Sequence, residues 1–147
     1  MVQNIKELYI SHLEKTIAEI TLYTNEADIW AIAPGILNSA GNLSLHIVGN
    51  LNLFIGAHLN NSGYVRNREA EFSLKDISKA ELTAMLQATQ TMINNCLSAM
   101  DNNDLEKVYP IDKFGEGRSI GYVFVYLLAH LDYHLGQINY HRRLLNK

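Results

Sequence analysis

Apolar residues at Ile5, Leu8, Tyr9, Leu13, Ile17 and Ile20 recur at intervals of three and four. That is the period of one helix face, and it predicts a first helix over roughly 3–24. The pattern lapses from Asn25, and Pro34 followed by Gly35 marks a turn. A second helix is predicted over about 39–59. Its apolar residues (Leu43, Leu45, Ile47, Val48, Leu51, Leu53, Phe54, Ile55) fall on more than one side, as in a helix covered by several neighbours. Gly49 and Gly56 lie on one stripe of it and allow close approach by another helix, at a cost in helix propensity. Ser78 with Glu81 forms a capping box that opens a third helix. Leu82, Met85, Leu86, Thr89, Ile93, Cys96, Leu97 and Met100 supply its single apolar stripe. A fourth helix starts near Ser119 and carries Ile120, Phe124, Leu127, Leu131, Leu135 and Ile138 on one face. No strand alternation, internal repeat or low-complexity tract competes with this all-α reading.

Two predicted connections are long, 60–77 and 101–118, and loops of that length usually carry topology or function. A helix of about 20 residues is about 30 Å long. The 18 residues of the first connection reach at most about 60 Å when extended. The segment can therefore cross the whole molecule, a length that permits parallel second and third helices without requiring them.

Composition narrows the class. A chain of 147 residues suits a single domain over 1–147. A formal net charge of −3 offers no electrostatic attraction to nucleic acid or to an anionic membrane. The single cysteine, Cys96, excludes an internal disulfide, fits a reducing compartment, and lies on an apolar stripe as a small core residue. The first residues lack signal-peptide character and no stretch is apolar enough to span a bilayer. The expected location is cytoplasmic.

The chemistry lies in the histidines: His12, His46, His58, His130, His134 and His141. His130 and His134 are four apart on the fourth helix, so their rings project from one face, beside the core stripe. Two neutral imidazoles at this spacing can bind one Zn²⁺-like ion, as on an HExxH helix, but the run reads HLDYH and lacks the protease glutamate. A third ligand is needed. His46, on the apolar second helix, is the foremost candidate, and spacing does not exclude His12. His141 lies about 10 Å beyond His134 along the helix, too far to share the ion, and His58 is similarly displaced from His46. The residues alone leave a metal site and a set of hydrogen-bonded core histidines both open. Asp132 lies two residues from either histidine and points elsewhere.

The run Leu45–His46–Ile47–Val48–Gly49–Asn50, followed by His130–Leu131–Asp132–Tyr133–His134–Leu135–Gly136–Gln137, resembles the DinB/YfiT-like superfamily. Arg66–Asn67–Arg68–Glu69–Ala70–Glu71–Phe72 is similar to a poorly characterised bacterial branch of it. The resemblance covers nearly the whole chain. It implies a four-helix bundle running up-down-down-up, with a long crossover between helices 2 and 3. It also implies one divalent metal, zinc or nickel, on His46, His130 and His134. Homodimers are frequent in that superfamily, and some members transfer a small thiol in a metal-dependent reaction. Two classes of function follow: a metal-dependent thiol transferase or hydrolase, or a non-catalytic metal-binding or interaction protein in which the ion locks helices together.

Other residues have candidate roles beside that centre. Asn50 and Gln137 can orient a ligand or a bound water. Tyr126, Tyr133 and Tyr140 repeat every seven residues and can line a pocket, form a dimer seam or pack at the periphery. Arg66, Arg68, Glu69 and Glu71 can clamp an anion or tie the crossover down through mutual ion pairs.

Overall fold

The computed structural model describes residues 1–146 and is all-helical. Its main helices are α1 (Val2–Thr21), α2 (Ala40–Leu51), α4 (Lys79–Ser98) and α5 (Ile120–Leu145), with a short α3 (Arg68–Ser73) in the crossover. The N-caps lie where the sequence places them. Ser39, Ser78 and Ser119 each accept a backbone N–H of the first turn, and the Ser78–Glu81 capping box is complete. The first turn of α1 has no cap of its own side chain. Asn102, from the second long connection, accepts Val2 N–H at 3.0 Å.

Contacts along the rods fix the topology. Lys6 reaches Ser98, Gln90 reaches Ile10 O, and Lys79 reaches Tyr23 O, so α1 and α4 are antiparallel. Tyr9 donates to Phe124 O and Asn139 to Glu19, so α1 and α5 are parallel. His46 meets His130, while Leu43 shares a cavity with Gln137 and Tyr140, so α2 runs against α5. Asn52 meets Thr89, and Gly56 lies beside Met92, so α2 runs with α4. The bundle is up-down-down-up, and 61–78 is the crossover.

Every residue of α2 is buried, which accounts for its all-round apolar sequence. The rod continues beyond α2 through a π-helical stretch, Asn52–Ala57, and a last turn, His58–Asn60. Asn61 then takes a left-handed conformation (φ 47°) and ends it. The break between α1 and α2 holds a 3₁₀ turn, Glu26–Trp30, absent from the helical reading. Its Trp30 ring lies so close to α2 that a Cβ on Gly41 would stand 2.6 Å from it. Leu8 and Met85 lie on the expected core stripes but are 46% and 37% exposed. The remaining stripe residues of α5 are all buried. No helix among the described residues is long and apolar enough to cross a membrane.

Candidate metal centre

α2 and α5 bring three imidazoles to one point. His46 Nε2 is 3.0 Å from His130 Nε2, and His134 Nε2 is 3.2 Å from the same atom. Among the described residues, His46, His130 and His134 form a group whose ligand atoms all lie within 4.8 Å of one another. The group contains no carboxylate. Two nitrogens each about 2.0–2.1 Å from a shared ion, at angles between octahedral and tetrahedral, lie about 2.8–3.4 Å apart. The two spacings to His130 Nε2, 3.0 and 3.2 Å, fall in that range.

The opposite ring nitrogens explain why the Nε2 atoms face inward with free lone pairs. His46 Nδ1 lies 2.9 Å from Glu71 Oε1, and His134 Nδ1 lies 2.7 Å from Gln137 Oε1. A carboxylate and an amide carbonyl can only accept, so we assign the proton of each ring to Nδ1. Nε2 of His46 and Nε2 of His134 are then acceptors, and both face His130 Nε2, which leaves lone pairs at one point for a proton or a cation to bridge. Arg66 Nη2, which donates to Glu71 Oε1 at 2.7 Å, also approaches His46 Nδ1 at 3.2 Å, but the carboxylate oxygen is nearer to that nitrogen, at 2.9 Å, and sets the assignment.

Electrostatics keeps the rings neutral. Burial pushes His46 and His134 below the usual imidazole range, against the opposing hydrogen bonds from Glu71 and Gln137. His130 is pushed down to about 4, by burial first and then by its two partner histidines and Arg66. Neutral imidazole is the metal-binding form, so at pH 7 no proton need be displaced.

Behind His46 sits a buried ion pair. Arg66 Nε and Nη2 hold both oxygens of Glu71 at 2.7 Å, the bidentate fork that suits guanidinium to carboxylate. Glu71 reaches this position because Gly49 has no side chain; a Cβ there would collide with its carboxylate. Asn42 anchors the strap by donating to Glu71 O and Leu74 O. The close approach expected at Gly49 is thus made by a carboxylate from α3 rather than by a main helix. The Arg66–Phe72 segment ties down the crossover, and its ion pair orients His46. Sequence reasoning grouped Arg66 with Glu71 but did not connect them to His46. The available signal was a glycine one turn from a candidate ligand.

Gln137 lies against His134, its Oε1 2.7 Å from Nδ1. Asn50 is buried, and its Oδ1 has no hydrogen-bond partner. Tyr126 stands apart from the three rings, half exposed, edge-on to Phe114 at 5.2 Å; Phe114 in turn packs on Phe54 at 5.0 Å. The remaining histidines are elsewhere. His12 is held by Leu8 O and Asp132, which explains where Asp132 points. His58 packs between Phe54 and Tyr109. His141 bonds Tyr23 and Ala31 O. Cys96 is a buried core thiol, raised by burial to about 11, with no role at the centre.

Fold and site together define an all-helical bundle with a buried three-histidine cluster able to hold a metal ion. The chain belongs to the family described as "Protein of unknown function (DUF1572)", whose model matches residues 2–147. No curated protein and no solved structure matches it.

Proposed function

We propose that this is a divalent-metal-binding protein related to the DinB/YfiT-like superfamily, with a zinc- or nickel-type ion on the Nε2 atoms of His46, His130 and His134. The observation that carries the reading is the convergence of three imidazole Nε2 atoms, with the tautomers of His46 and His134 set by Glu71 and Gln137. An ion bound there would have positions left over for a small molecule, and would make a bound water or thiol more acidic. That chemistry suits a thiol transferase or a hydrolase. The protein's own contribution is to hold three neutral imidazoles in place and to shield them with Phe72, 5.0 Å from the His46 ring. A second reading has no turnover, and in it the ion mainly locks α2 to α5.

Calorimetric titration of metal-free protein with Zn²⁺ and Ni²⁺ tests the proposal. One ion per chain is expected, with binding lost in His130→Ala. Adding a low-molecular-weight thiol to the Co²⁺-loaded protein should change its visible spectrum if the leftover positions accept ligands; an unchanged spectrum favours the purely structural ion. We also propose a homodimer across the solvent face of α5, where Tyr126, Tyr133 and Tyr140 are all more than half exposed. A 16.6 kDa species in sedimentation at micromolar concentration contradicts this.

A further inference from the structure

One polar atom near the centre has no partner. Asn50 is 8% exposed, and its Oδ1 is the buried side-chain oxygen or nitrogen left without a hydrogen bond among the described residues. A buried carbonyl oxygen in that state carries its full desolvation penalty, and native proteins nearly always satisfy such groups. Its place is informative. Asn50 follows His46 by one helical turn, so the two side chains occupy the same edge of α2. Because α2 runs against α5, passing from Leu43 to His46 moves from the level of Gln137 to that of His130 and His134. Asn50 therefore lies on the far side of His46 from Gln137, toward the end where His130 is only partly buried. Both other candidates for orienting a ligand are already used: Gln137 Oε1 by His134, and Glu71 by His46 and Arg66.

Resting on the metal reading above, we propose that Asn50 is a positioning residue whose Oδ1 accepts a hydrogen bond from the protic group that completes the site, and that this group is water or another O–H or N–H donor. An amide oxygen can only accept. A thiolate has no proton to give it, whereas water has two. The acceptor therefore suits a bound water, the group that hydrolytic chemistry uses, rather than a thiolate sulfur. The cluster supplies three neutral donors and no anion of its own, so the orphaned acceptor is the feature of the chain suited to orienting that water.

The test is a thermodynamic cycle between Asn50 and zinc, read by thermal unfolding and by equilibrium zinc affinity. Asn50→Leu removes the acceptor at similar volume, and Asn50→Ala carries the same test should leucine not be accommodated. Asn50→Asp keeps an acceptor. In the metal-free state the leucine variant should melt no lower than wild type, since it loses an unsatisfied group. Its zinc affinity should fall about 10-fold, the scale seen for residues that orient metal ligands, with a smaller zinc-induced rise in melting temperature. Asn50→Asp should retain zinc affinity within about 3-fold by the same scale. A zinc-induced shift identical in wild type and both acceptor-less variants overturns the role of Asn50 while leaving the metal centre standing. Absence of zinc binding by wild type overturns the metal centre and the inference with it.

Discussion

Two buried histidine sites in this bundle begin from the same physics and end differently. His141 and the His46–His130–His134 group both sit out of water, and burial lowers the pKa of all four imidazoles. At His141 both ring nitrogens are satisfied by the protein: Nδ1 lies 2.6 Å from Tyr23 Oη, and Nε2 lies 2.9 Å from Ala31 O. Since Ala31 O can only accept, Nε2 carries the proton and Nδ1 accepts from the tyrosine. That site is closed. In the three-histidine group, two rings direct their Nδ1 protons to Glu71 and Gln137, and the freed lone pairs converge on His130 Nε2. A depressed histidine pKa thus marks burial in both places. Lone pairs left facing each other are what distinguish a site from a core contact.

Substitutions at the two sites should separate most sharply. His130→Ala or His134→Ala should lower zinc affinity by more than about 100-fold, beyond what orienting residues alone command, with little loss of metal-free stability. His141→Ala should leave zinc affinity intact and destabilise the fold by about 2–3 kcal/mol, since it strands Tyr23 Oη and Ala31 O and leaves a cavity. Equal zinc affinities for His130→Ala and His141→Ala would erase the distinction. Next in size, Glu71→Gln and Gly49→Ala should each weaken zinc binding about 10- to 100-fold, the first by removing the carboxylate at His46 and the second by displacing it.

Acid should act on both sites in the metal-free protein. Every one of these histidines has a folded pKa below its unfolded value, so the unfolded chain binds more protons in the interval between them. Their contribution to stability is complete above about 6.5 and is lost as pH falls through the folded values, about 4 for His130. Denaturant melts between pH 7 and pH 4 should show this loss, with a shallower slope in His130→Gln. The smallest effect is expected at His12, whose contact with the exposed Asp132 should contribute no more than about 1 kcal/mol. His12→Ala should leave zinc affinity unchanged.

Much of the fold could be read along the chain because its signals are local. Apolar spacing and the serine caps at 39, 78 and 119 place the helices within a few residues. The His130–His134 pair follows from helical geometry alone. His46 could be ranked first from its place on the apolar second helix, but it took the resemblance to set His12 aside, because nothing in a one-dimensional pattern says which residue of α2 faces α5. Glu71, Arg66 and the cap that Asn102 places on α1 are contacts between segments distant in sequence, and no periodicity encodes them. The π-helical stretch at 52–57 was hidden for a related reason: its side chains still follow a helical order, while Tyr109, from a distant loop, donates to Phe54 O within it.

Anomalous diffraction from crystals of the zinc-loaded protein, recorded on both sides of the zinc absorption edge, tests the central claim most directly. The account predicts one strong peak per chain, about 2.0–2.1 Å from Nε2 of each of the three histidines, with Glu71 and Gln137 still on the opposite ring nitrogens. A peak at His12, His58 or His141 instead, or no peak under zinc excess, would contradict it.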